Sequence, residues 1–170
     1  MAIDRLLRAT LVILLTCTAS AAFSENPYTT EETLAIERAC INLGRQYARL
    51  VDRGGAAKEI SELFDEHGTY EGISAKYVGR ENIFIAFDAR PPDRHSFHLV
   101  SNEIAEVQNR NLTLVESYYV YYRHEGKLAG EFAPIREPYS MGSYHDECVR
   151  TDDNSWRWQL RQTKRRFARE

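Results

Sequence analysis

An α+β fold, with helices packed on one face of a bent, mostly antiparallel sheet, is what the patterning of this 170-residue chain predicts. Three observations carry the expectation. Helical periodicity dominates the first half, strand-like alternation dominates the second, and the second half divides into two hairpins at polar turns. No repeat and no linker marks a second domain, so residues 28–168 read as one domain.

The first helix is announced by Pro27 and by Thr29-Thr30-Glu31-Glu32, a capping-box spacing in which hydroxyl and carboxylate satisfy free backbone donors. Ile36, Cys40, Leu43, Tyr47 and Leu50 then recur at gaps of four and three and draw one apolar stripe. Gly54-Gly55 should end this helix, because glycine permits the left-handed cap. Residues 56–66 restart as a short helix with Ile60, Leu63 and Phe64 inward, closed by Gly68. Residues 69–71 and 76–78 are short strands, and residues 81–89 form a third helix with Ile83, Phe84 and Phe87 on one side. Pro91-Pro92 stops it, since the residue before proline is pushed out of the helical region. Strands over 96–107 and 112–123 flank one turn, and strands over 141–151 and 155–167 flank Asp152-Asp153-Asn154. The connection 124–143, with Phe132, Ile135, Tyr139 and Met141, is long enough to be a surface loop or a lid over a pocket.

The first 21 residues read as a signal peptide rather than as part of the fold. Arg5 and Arg8 form a basic n-region, residues 11–15 an apolar core, and Ala19-Ser20-Ala21 a small-residue cleavage site. Cys17 loosely fits a lipoprotein signal, but Thr16 before it fits poorly. A periplasmic or secreted location is therefore expected, with no membrane contact after cleavage, because no later stretch is apolar enough to span. Removing Asp4, Arg5 and Arg8 with the leader leaves 20 Lys and Arg against 24 Asp and Glu, a formal charge of −4. That balance argues against nucleic acid, which draws affinity from clustered cations. Lys164-Arg165-Arg166 is a short basic run of the kind that forms a solvated end. Cys40 and Cys148 remain; in an exported protein they could pair, or they could be separate core thiols, and geometry decides.

Candidate chemistry gathers on few residues. Tyr47 lies on the apolar stripe, whereas Asp52 lies about 140° from it around the helix axis and shares that face only if the helix end distorts. They read either as acid–base groups or as a core aromatic beside a solvated helix-end carboxylate. His98 sits mid-strand, and an even-length hairpin would set it opposite Tyr121 and set Val100 opposite Tyr119. An imidazole beside a phenol suits proton transfer, since histidine titrates near neutrality; a half-buried histidine held by a hydroxyl or backbone group is the alternative. In the last hairpin an even turn sets Asp146 opposite Arg161, as a structural ion pair, and Val149 opposite Trp158. His95 and His98 face opposite ways along a strand, and no zinc-like ligand spacing, glycine-rich phosphate loop or Cys-x-x-Cys pair occurs, so neither a metal nor another cofactor is expected.

Tyr47 to Gly54, Leu63 to Tyr70, Gly79-Arg80-Glu81-Asn82-Ile83, Arg94 to Asn102, Tyr144 to Glu147 and Trp156-Arg157-Trp158 together resemble the SnoaL-like branch of the nuclear transport factor 2-like superfamily. The resemblance runs from about residue 30 to 166. It implies a cone-shaped α+β barrel, cystatin-like, in which a curved sheet wraps around the long first helix. That superfold hosts dehydratases, isomerases, cyclases, epoxide hydrolases and noncatalytic subunits. Tyr47, Asp52 and His98 resemble the acid–base residues of bile-acid and scytalone dehydratases, which implies cofactor-free lyase or isomerase chemistry on a cyclic hydrophobic, steroid-like or polyketide-like molecule. Arg94, Tyr119 and Tyr121 would hold the rest of that substrate. The superfamily also implies a homodimer through the sheet. A noncatalytic ligand-binding or oligomerisation domain using the same pocket is the alternative.

Overall fold

The computed structural model describes residues 28–134 and 136–169, so the expected leader and its cleavage site lie outside the described residues. Helix α1 (Thr30–Arg53) starts on the expected capping box: the Thr29 hydroxyl accepts the Glu32 N–H, and the Glu32 carboxylate accepts the Thr29 N–H. It stops where Gly54 and Gly55 turn to φ +73° and +61°, a region that costs a residue with a Cβ. Cys40, Leu43, Tyr47 and Val51 form its buried stripe.

The second helix is shorter than its sequence suggests. Helix α2 (Ala57–Glu62) gives way to strand β1 (Phe64–Glu71) where a helix to residue 66 is expected. The reason is tertiary: Phe64 pairs in parallel with Trp158, the Trp158 N–H donates to the Leu63 carbonyl at 2.9 Å, and Phe64 loses all its exposure. Burying a phenylalanine and two backbone groups outweighs the weak helical preference of a short segment. Gly68 permits the close approach, because a Cβ there would lie 2.5 Å from the Trp158 carbonyl oxygen. Strand β2 (Lys76–Val78), helix α3 (Arg80–Asp88) and strands β3 (Arg94–Asn109), β4 (Leu112–Glu125), β5 (Ser140–Arg150) and β6 (Trp156–Ala168) follow close to their expected places.

The six strands form one sheet in the order β2-β1-β6-β5-β4-β3, antiparallel except for β1 with β6. This overturns the expected cone-shaped barrel: among the described residues β2 and β3 are free edges, and the sheet is open. Closure requires the two end strands to pair over a useful length with matched stagger, and here a strand of 3 residues stands at one end and one of 16 at the other. The α+β class and the long first helix stand, without the closure.

Side chains of α1, α2 and α3 share one core with the sheet, including Leu43, Ile60, Ile83, Val115 and Trp158. A disulfide between Cys40 and Cys148 ties α1 to β5. Three expected cross-strand pairs are present: His98 with Tyr121, Val100 with Tyr119, and Asp146 with Arg161. The expected Val149–Trp158 pair is not. A register shift between Glu147 and Cys148 sets Cys148 opposite Trp158, because a bulge places two residues against one. No helix among the described residues is long and apolar enough to cross a membrane.

Candidate active site

Tyr47 occupies the inward stripe of α1, in the middle of an aromatic cluster. Its ring meets those of Phe87, Trp158 and Tyr144 edge-on at centroid distances of 6.0, 5.7 and 6.3 Å, an arrangement favoured by the ring quadrupoles. Its hydroxyl lies 3.3 Å from that of Tyr70. Burial, with Tyr47 beside it, raises the Tyr70 phenol well above its ordinary value, so Tyr70 remains a neutral hydrogen-bonding partner.

His98 projects from β3 toward the same cluster, its ring centroid 6.2 Å from that of Tyr47 and stacked at 4.4 Å on Tyr121. Asp52, on the last turn of α1, holds this histidine twice. One carboxylate oxygen lies 2.6 Å from His98 Nδ1, and the other accepts the His98 backbone N–H at 2.7 Å. Asp52 therefore does not need to share the Tyr47 face. It reaches the imidazole from a different side, and the long β3 strand carries His98 into the gap between them. With Nδ1 engaged, Nε2 is the ring nitrogen without a hydrogen bond among the described residues.

These groups border a cavity of about 440 Å³. Tyr47 and His98 line it, as do the other three expected contact residues, Arg94, Tyr119 and Tyr121. Asp52 does not; it stands behind the imidazole, where a carboxylate fixes tautomer and orientation rather than touching a ligand. Tyr119 is buried and stacks on Tyr144 at 4.6 Å; burial raises its phenol, opposed by Ser140 and Arg165. Arg94 shares the Glu125 carboxylate with Arg123 at 2.8 and 2.9 Å.

Beneath Tyr47 lies the buried pair Asp146–Arg161. The guanidinium carbon sits 4.4 Å from the Tyr47 centroid, 3.8 Å from Tyr144 and 4.1 Å from Trp158. Burial pushes the Asp146 carboxyl up to about 7, with Arg161 pulling the other way. Asp146 Oδ1 and Arg161 Nε and Nη2 have no hydrogen-bond partner among the described residues. The guanidinium of the pair, not its carboxylate, is the member set over the Tyr47 ring.

Several lining residues escape sequence reasoning. Arg123 could have been found by parity, since it shares a face of β4 with Tyr119 and Tyr121. Tyr144 could have been found the same way from Cys148. Tyr70 and Tyr77 lie in segments too short to show a period, and Arg90 follows the end of α3, where none exists. Of the four side chains expected to form a lid, Tyr139 lines the cavity, and its N–H donates to the Tyr121 carbonyl at 2.7 Å. Phe132 is 79% exposed, and Ala133 and Pro134 lie by Phe97 and His124 instead; the placement of Ile135 lies outside the described residues. Among the described residues no group of three or more His, Cys, Asp or Glu side chains could hold a metal ion.

Solved structures share this architecture at low sequence identity, which shows a common fold. A Mycobacterium tuberculosis protein of unknown function superposes with a TM-score of 0.68 at 19% identity, over 82% of this chain and 76% of that one. A Novosphingobium aromaticivorans protein provisionally named a scytalone dehydratase gives 0.66 at 18% identity, over 82% and 89%. One from the same species, provisionally named an aromatic ring hydroxylase, gives 0.62 at 17% identity, over 79% and 91%. No curated protein matches the chain. The model of the SnoaL-like domain matches residues 32–162, and the chain belongs to that family.

Proposed function

We propose that this protein is an exported enzyme that performs lyase or isomerase chemistry on a small cyclic, largely apolar molecule, using acid and base groups of its own. The observation that carries the reading is the Asp52–His98 dyad, with Nδ1 engaged at 2.6 Å on an imidazole that lines the cavity beside Tyr47. Asp52 favours the tautomer with the proton on Nδ1, so Nε2 carries the lone pair and serves as base. In a dehydration, His98 Nε2 takes the proton from a carbon next to a carbonyl or ring. The C–H electron pair becomes the new C=C bond as the C–O bond breaks. Tyr47 protonates the departing hydroxyl, which leaves as water, and the proton on His98 returns to the phenolate. Asp52 stabilises the imidazolium formed in between, and Arg161 stabilises the transient phenolate. In an isomerisation the same base returns the proton to another carbon.

The names of two structural neighbours, a scytalone dehydratase and an aromatic ring hydroxylase, agree with a cyclic substrate. Export is supported by the Cys40–Cys148 disulfide, a bond that persists in oxidising compartments. Phe97, Leu99, Ile104 and Tyr118 leave an exposed apolar strip on β3 and β4, which supports a homodimer through the sheet.

The test is a thermal-shift screen of the mature protein with steroids, bile acids and aromatic polyketides, each hit incubated with wild type and His98→Ala and analysed by mass spectrometry. A product formed by wild type and absent with the folded variant is expected. Binding without conversion by either protein would favour the noncatalytic alternative.

A further inference from the structure

The charge of the cavity is opposite to that of the chain. The sequence carries a formal charge of −3, yet the lining holds Arg90, Arg94, Arg123 and Arg165 and no Asp or Glu. Arg94 and Arg123 are tied to Glu125, and Arg165 is exposed on β6. Arg90 differs from all three. It is half-buried, its guanidinium carbon lies over the Phe87 ring 3.7 Å from the centroid, and it forms no ion pair among the described residues. Its charge acts on the phenols of Tyr47, Tyr70 and Tyr121, and burial holds the last two of these neutral. A guanidinium partly withdrawn from water gains from an anion beside it, and neither Tyr70 nor Tyr121, held neutral by burial, supplies one.

We infer that the ligand of this cavity carries an anionic oxygen group, a carboxylate or sulfonate, which Arg90 receives in the cavity while its cyclic body lies among the tyrosines. Arg94, Arg123 and Arg165 add positive potential, which a low-dielectric cavity focuses on an approaching anion. The planar fork of Arg90, held against Phe87, matches the two oxygens of a carboxylate, a geometry that lysine lacks. This inference deepens the proposed small-molecule chemistry and rests on the same cavity. It narrows the substrate class from apolar cyclic molecules to cyclic acids.

The experiment compares a naphthalene carboxylate, the corresponding sulfonate and the neutral carboxamide by calorimetry on the mature protein. A charge-assisted pair should make either anion bind about tenfold or more tighter than the amide. Arg90→Met should shrink that preference to within about threefold, and Arg90→Lys should keep part of it. Arg166→Met, at an exposed position outside the lining, should leave it intact. Equal affinity for anion and amide in wild type would overturn the inference without recourse to any variant. So would a preference that survives in folded Arg90→Met, or failure of both anions to bind at millimolar concentration. Anion binding with no turnover of any cyclic acid would sink the catalytic reading and leave this one standing.

Discussion

Replacing Asp52 by asparagine isolates the role of the dyad, because the amide has only one acceptor oxygen where the carboxylate has two. In the wild type both oxygens are used, one by the His98 backbone N–H at 2.7 Å and one by Nδ1 at 2.6 Å. The backbone N–H is a fixed donor and must keep the oxygen. The NH₂ group of the substituted side chain then faces Nδ1, which can accept from it only when unprotonated. The proton is driven to Nε2, and the base facing the cavity disappears. Loss of a positioned general base costs about 10²–10⁴ in rate, with a tautomer error at the upper end. Stability should fall by about 1–3 kcal/mol, the range for one altered charge-assisted bond. The tautomer can be read without a substrate from the nitrogen shifts and long-range couplings of the His98 ring in labelled protein. Nδ1–H in the wild type and Nε2–H in the variant are expected. An Nε2–H tautomer already present in the wild type, or one unmoved by Asp52→Asn, would refute the assignment of His98 as base and Asp52 as its orienting partner.

Three further outcomes follow from other parts of the structure. Tyr47→Phe removes a hydroxyl that contacts Tyr70 at 3.3 Å while keeping the ring contacts, so kcat should fall about 10²-fold or more with little change in ligand affinity; an equal loss in both would make Tyr47 a binding group only. The disulfide closes a loop with a sequence separation of 108, so Cys40→Ala/Cys148→Ala should lose about 2–5 kcal/mol in urea unfolding; a loss below about 1 kcal/mol would show that the cross-link does not restrict the unfolded chain as the loop length demands. Asp146 titrates at about 7 when folded, above the roughly 3.9 of an unfolded aspartate, so its stabilising contribution is complete below about 4 and is lost as pH rises through about 7. Thermal midpoints of Asp146→Asn should therefore decline less than those of the wild type across that window, and parallel curves would place the titration elsewhere.

Much of this protein can be read from its residues alone. The capping box at Thr29–Glu32, the apolar stripe through Cys40 and Tyr47, the glycine stop and the four long strands are local statements, written in periods of 3.6 and 2.0 and in turn chemistry. The pairing of His98 with Tyr121 is reached by another route than an even turn alone: Asn109 pairs with Leu112, and register shifts between Val107 and Asn109 and between Ser101 and Ile104 bring His98 opposite Tyr121. What the residues do not carry is how distant segments meet. The short helix ends at Glu62 because Phe64 finds Trp158, far along the chain. The sheet stays open because β2 is too short to close it, and the bulge at Glu147 moves Cys148 opposite Trp158. Asp52 meets His98 although it lies off the Tyr47 face, because the contact is made across two elements and not along one helix. Arg90 belongs to no periodic segment, so only the packing of α3 against the sheet brings its charge to the cavity. Local periodicity is a property of neighbours in the chain; charge, cavity and dyad are properties of neighbours in space, and tertiary structure alone decides those.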